Sequence, residues 1–143
     1  MNDRFLSRGK RKDNGEWVEG YYLSQNKVVI SYFEKGEYDS DEDLTNCKCV
    51  VHRVLPKTVG GCTGKKDKNG RMVFEGDILR VKKFNDDPVI GKVVFNENTA
   101  GFEVWWNIVV GAYGEKATRK ENFAVCGQME VIGNIYDTPE LLK

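Results

Sequence analysis

The sequence has no excess of either charge: 22 lysines and arginines balance 22 aspartates and glutamates. A balanced chain lacks the global positive field that draws a protein onto nucleic acid, so binding of that kind needs a local patch. Long hydrophobic runs are missing too. No window approaches the roughly 20 apolar residues that cross a bilayer as a helix, which argues against a membrane partner. Arg4, Arg8, Lys10, Arg11 and Lys12 crowd the start, yet no apolar stretch follows them. The segment therefore does not read as a secretion signal, and a cytoplasmic protein is the expectation. Histidine occurs once, as His52, and any Ser-His-Asp or Cys-His mechanism would have to use it. Its neighbours Val51 and Arg53 belong to a strand-like run and offer it no partner. No repeat, low-complexity tract or catalytic signature is found, so no catalytic residue and no cofactor is assigned.

What is present is a chain of 143 residues, 40% apolar and 31% charged, long enough for a real core. It reads as one compact β domain over 1–143, or as an N-terminal lobe 1–59 and a small-barrel lobe 60–143. Short apolar runs alternate with Gly, Asn and Asp, the pattern of many short strands. Strands are expected at Trp17–Leu23, Val28–Phe33, Cys49–Val54, Met72–Phe74, Ile78–Val81, Val89–Phe95, Phe102–Val110, Asn122–Cys126 and Met129–Tyr136. The clearest is Phe102–Val110, where Phe102, Val104, Trp106, Ile108 and Val110 fall on one face. Asp67-Lys68-Asn69-Gly70 reads as a tight turn. Gly60, Gly61 and Gly64 read as a flexible connection. Asp137-Thr138-Pro139-Glu140 opens a single helical turn, and a short helix near Leu44 is the only other helical candidate. The fold class is mainly β with very little helix: a short-stranded or SH3-like barrel with additional N-terminal strands.

Three constellations were weighed for chemistry. Gly60 and Gly64, with Lys65 and Lys66, miss the spacing of a phosphate-binding loop, and a turn arrives where its helix should start. Asp39, Asp41 and Asp43 imitate the opening of a calcium loop, but Leu44 replaces its glycine and Val50 its closing glutamate. Cys47, Cys49, His52 and Cys62 are zinc-ligand types at poor spacing. Without a secretion signal, Cys47, Cys49, Cys62 and Cys126 are expected to be reduced thiols.

Charge is locally uneven. Acids crowd between Glu34 and Asp43, while Lys65, Lys66, Lys68, Arg71, Arg80, Lys82 and Lys83 form a basic stretch with Phe74 and Phe84 interleaved. Such a stretch can bind nucleic acid, or serve solubility and protect sheet edges. The opposed patches can also meet across a homo-oligomeric contact. Trp105 points away from the face that holds Trp106, which makes it a candidate subunit contact unless the N-terminal lobe covers it.

Several blocks resemble the YopX family of phage and prophage proteins. They are Arg4-Phe5, Gly15-Glu16-Trp17-Val18-Glu19-Gly20, Thr63 to Gly70, Phe74-Glu75-Gly76-Asp77-Ile78, Gly91 to Phe95, and Val131 to Leu142. The resemblance implies a β-barrel-like fold and a prophage origin, and carries over no catalytic residue. The segment from Glu34 to Lys57 matches least. Within the shared blocks, Ile78, Val93, Val131 and Ile135 look like core. Asp77 and Asn134 read as corner locks that bond backbone, with a ligand-binding role as the alternative. Association, with itself or with a phage or host protein, is the leading expectation. Nucleic-acid binding is the alternative, and an enzyme is third.

Overall fold

The computed structural model describes residues 5–32, 49–82, 87–124 and 128–143. The acidic stretch at Asp39, Asp41 and Asp43, the helix expected near Leu44, and Cys47, Lys83, Phe84 and Cys126 lie outside them. The described chain is mainly β, as expected, with eleven strands and two 3-10 turns, at Pro56–Thr58 and Pro139–Leu142. The second of these is the single terminal turn read from the sequence. No helix among the described residues is long and apolar enough to cross a membrane. Two compact units are present, Phe5–Gly61 and Cys62–Lys143.

In the first unit, β1 (Ser7–Lys10), β2 (Trp17–Leu23), β3 (Val28–Tyr32) and β4 (Cys49–Arg53) pair antiparallel in the order β4-β3-β2-β1. Beyond β1 lies the start of β5 (Gly60–Lys66), with Gly61 opposite Ser7 and Gly60 opposite Arg8. The glycine-rich segment is therefore a strand and not a flexible connection. Val28, Val29 and Val54 are buried in this unit.

In the second unit, β5 pairs with β6 (Met72–Phe74). A separate antiparallel sheet holds β7 (Asp77–Val81), β8 (Val89–Asn96), β9 (Gly101–Val110), β10 (Glu115–Asn122) and β11 (Met129–Asn134), in the order β10-β9-β8-β7-β11. Four strands run as consecutive hairpins, and β11 returns to pair with β7. Leu79, Val81, Val93, Val104, Trp106, Met129 and Val131 meet in one apolar cluster with Val73 of β6.

The expected barrel is corrected by the strand order: β10 and β11 are the two edges of an open sheet. Edge β10, Glu-Lys-Ala-Thr-Arg-Lys-Glu-Asn, carries charge on both faces, which disfavours a further strand beside it. Sequence periodicity missed this strand, and placed one at Asn122–Cys126 where only Asn122 is in a strand among the described residues.

Polar side chains fix the corners. Asp67 is buried; its Oδ1 accepts the backbone N–H groups of Asn69 and Arg71, each at 2.9 Å. Its Oδ2 accepts that of Val131 at 3.0 Å, tying the turn to β11. Burial pushes the Asp67 pKa up, but the N–H groups of Val131, Arg71 and Asn69 outweigh it and hold the carboxyl below its ordinary 3.8. Asp77 accepts the Phe74 N–H at 2.8 Å across a corner where Gly76 has φ +86°. Asn134 Oδ1 accepts from Tyr136 and Asp137 at 3.0 and 2.9 Å. Both residues thus bond backbone at corners. Gly91 serves a close approach: an added Cβ would sit 2.7 Å from Trp106 Cε3 and 2.8 Å from the Trp105 carbonyl oxygen.

Gly91→Ala is expected to cost about 1–3 kcal/mol in urea unfolding, because a backbone oxygen cannot rotate away from the new methyl. Asp67→Ala is expected to cost about 1–3 kcal/mol at neutral pH by orphaning buried donors. Since the folded-state pKa of Asp67 is depressed, its contribution is present above about pH 4 and lost as pH falls through the folded value. Unfolding curves across acid pH should therefore be flatter for the variant than for the wild type.

Candidate functional site

The basic stretch read from the sequence does not act as one uniform patch. Lys65 and Lys66 end β5, Arg71 follows the turn and Lys82 follows β7; all four are exposed. Lys68 and Arg80 converge instead on Glu130 of β11, at 3.3 and 2.7 Å. Arg80 and then Lys68 hold the Glu130 carboxyl below its usual range by hydrogen bonding. Glu130 therefore neutralises part of the stretch, a pairing between residues 50 apart that composition cannot reveal.

Trp105 lies on the outer face of the five-stranded sheet, as alternation in β9 predicts. Directly opposite it stand Lys92 on β8 and Lys120 on β10. Their ammonium nitrogens lie 5.1 and 4.1 Å from the indole ring centroid. The indole N–H donates to Glu103 Oε2 at 3.0 Å, and Asn96 donates to Glu103 Oε1 at 2.7 Å. Those two bonds, Trp105 first, hold the Glu103 carboxyl below its usual range. The ring is thus held at its edge and flanked by two cations. Sequence reasoning missed Lys92 and Lys120 because the row exists only once β10 is in register. The Gly111-Ala112-Tyr113-Gly114 turn was the available signal for that strand, since Gly111 and Gly114 both take positive φ.

Two other features belong to the same hairpin. Val109, Val110 and Tyr113 at its distal end are exposed, Tyr113 to 93%. On the opposite face, a cleft of about 270 Å³ is walled by Val89, Trp106, Ile108 and Met129, with Arg119 and Glu121 on β10. Those two side chains pair with each other at 2.7 Å.

Of the zinc-ligand types, Cys49 is exposed and Cys62 is buried, with its sulfur accepting the Gly64 N–H at 3.3 Å. Cys49 and His52 occupy opposite faces of β4, so the strand does not bring them together.

The family model described as YopX protein matches residues 7–143, which takes in nearly the whole chain. The chain belongs to the YopX family. The match spans the corner-forming blocks and the β9–β10 hairpin alike. No curated protein matches the chain. Among solved structures, protein EF1440 from Enterococcus faecalis is similar at 20% identity, covering 96% of each chain with a TM-score of 0.48.

Arg80→Ala should raise the Glu130 pKa toward the ordinary 4.5, because the first of its hydrogen-bond donors is gone. The carboxyl carbon shift followed by NMR through an acid titration reads this directly; an unmoved midpoint would mean the pairing is not made in solution.

Proposed function

We propose that this protein acts by association with a second copy of itself, through the distal end of the β9–β10 hairpin. The observation that carries this reading is the register of β9. Its pairing with β8 ends at Asn107 opposite Ile90, whereas its pairing with β10 continues to Val110 opposite Glu115. Pro88, which has no N–H to donate, stands just before β8. Beyond Asn107 the sheet is reduced to a two-stranded ribbon, a structure that is marginal in water on its own. That ribbon displays Val109 at 70% exposure together with Val110 and Tyr113. A marginal ribbon with exposed apolar side chains on both faces and at its turn gains stability from being covered.

A second copy is the occupant supported by charge. The chain has no net charge, so copies do not repel at long range. Glu115 and Lys116 adjoin at the base of the tip, and a two-fold axis would set Lys116 of one copy against Glu115 of the other. Strand addition along β10 is disfavoured by its charged residues, which leaves side-chain packing at the tip. We place the contact there and not at Trp105, whose ring is flanked by Lys92 and Lys120. The YopX resemblance supports reading the assembly as a prophage-encoded accessory protein of the cytoplasm.

Light-scattering mass after gel filtration tests the proposal. The wild type should run as a defined oligomer, and the double variant Val109→Asp, Tyr113→Ser as a monomer with unchanged circular dichroism. A monomeric wild type at its highest soluble concentration would end the proposal, as would an oligomer that survives the double variant.

A further inference from the structure

The outer face of the same sheet carries a second surface of different chemistry. Lys92, Trp105 and Lys120 form a row across β8, β9 and β10, each lysine directly opposite the indole. Around the row, the outward positions that share this face are Ile90, Val94, Asn96, Asn107, Thr118 and Asn122, with Lys116 and Val109 nearer the tip. Among the described residues one acid, Glu103, adjoins the ring, and its oxygens are engaged by Trp105 and Asn96. Arg80 shares the face one row away, since Arg80 pairs with Ile90 and Ile90 with Asn107.

Lysines stand at the centre of this face, on both sides of its one aromatic ring, and interface cores are depleted in lysine. The chemistry fits a ligand that has both a flat ring and negative charge. A nucleobase can stack on an indole whatever its sequence, and lysines on either side can reach the phosphates that flank it. The two lysines lie two strand spacings apart, about 10 Å at the backbone. Their ammonium groups rest against the ring, with Lys120 also attracted to the Glu103 carboxylate, and a stacking base can displace one so that a phosphate pairs with it. The Glu103 hydrogen bond fixes the indole plane beforehand, which lowers the ordering needed on binding. In a duplex the bases are already stacked on one another, so the ring would have nothing to receive.

We propose that the Lys92–Trp105–Lys120 row binds single-stranded nucleic acid, with Trp105 as the stacking plane and the two lysines as phosphate contacts. Val109 of the hairpin tip shares this face, four residues along β9 from Trp105. With two such contacts, affinity should fall with salt at a log–log slope of about −1.4, about −0.7 for each phosphate.

Fluorescence anisotropy with a labelled single-stranded oligothymidylate, and with a duplex of the same length, tests this. Trp105→Leu should weaken single-strand binding about tenfold or more, while Trp105→Phe, which keeps a ring, should stay within a few-fold of wild type. The pair Lys92→Gln, Lys120→Gln should flatten the salt dependence, and Lys65→Gln, Lys66→Gln should leave it alone. Circular dichroism melting checks that each variant is folded. Three results would overturn the proposal: no saturable binding at low salt, equal affinity for the duplex, or Trp105→Leu binding as well as wild type. Repeating the titration with the tip variant Val109→Asp, Tyr113→Ser separates this site from self-association, since binding should persist whatever that variant does to mass.

Discussion

The carboxylate of Asp67 accepts backbone N–H groups from its own turn and from Val131, and the second unit is organised around that junction. A buried charge is costly unless hydrogen bonds surround it; supplied with three donors, it becomes a strong and directional acceptor. The turn that joins β5 to β6 is thereby pinned to β11. A backbone bond from Lys68 to Met129 at 2.9 Å reinforces the same link. Because β11 forms one edge of the five-stranded sheet, its register against β7 is set in part by a residue outside that sheet. Asp77 and Asn134 apply the same device at shorter range, each closing a corner by receiving backbone hydrogen bonds.

Around this fixed frame, the β9–β10 hairpin carries three chemistries on one element. Its inward face supplies Val104 and Trp106 to the core, and the missing side chain of Gly91 leaves room for the Trp106 ring beside β8. Its outward face carries the indole between two lysines. Its tip runs past the end of β8 and loses the third strand that would cover it. Alternation along a strand keeps the first two apart, and strand length creates the third. Since β10 is an edge strand, the outward face and the tip lie where a binding partner can approach without disturbing the core.

Much of the fold was legible from residue order. Trp17–Leu23 and Met72–Phe74 emerge as read, and Phe102–Val110 within one residue, because each is a run rich in apolar, β-branched or aromatic residues bounded by turn residues. Strands β1 and β10 were not legible. Ser7–Lys10 and Glu115–Asn122 contain no apolar alternation, and their conformation is imposed by the neighbours they pair with. Glycine misled at Gly60–Lys66, where a segment read as flexible is a strand set against β1. The functional surfaces suffered the same limit. Trp105 could be singled out by parity, yet its lysine partners depend on inter-strand register, which no local pattern encodes. The basic stretch was visible as composition, but the acid that neutralises part of it lies on β11.

The pairing of β11 with β7 also has a consequence for how the chain is made. Strands β7 to β10 can form hairpins one after another as they leave the ribosome, since each partner is next in sequence. The other edge of β7 must wait for β11, and the loop closed by that pairing contains all of β8, β9 and β10. Ile78 and Leu79, fully buried in the finished protein, lie on the strand that waits. If the hairpins close in that order, a four-stranded meander is complete while its most buried strand is still open along one side. That stage is when a chaperone, or a second chain emerging nearby, meets it.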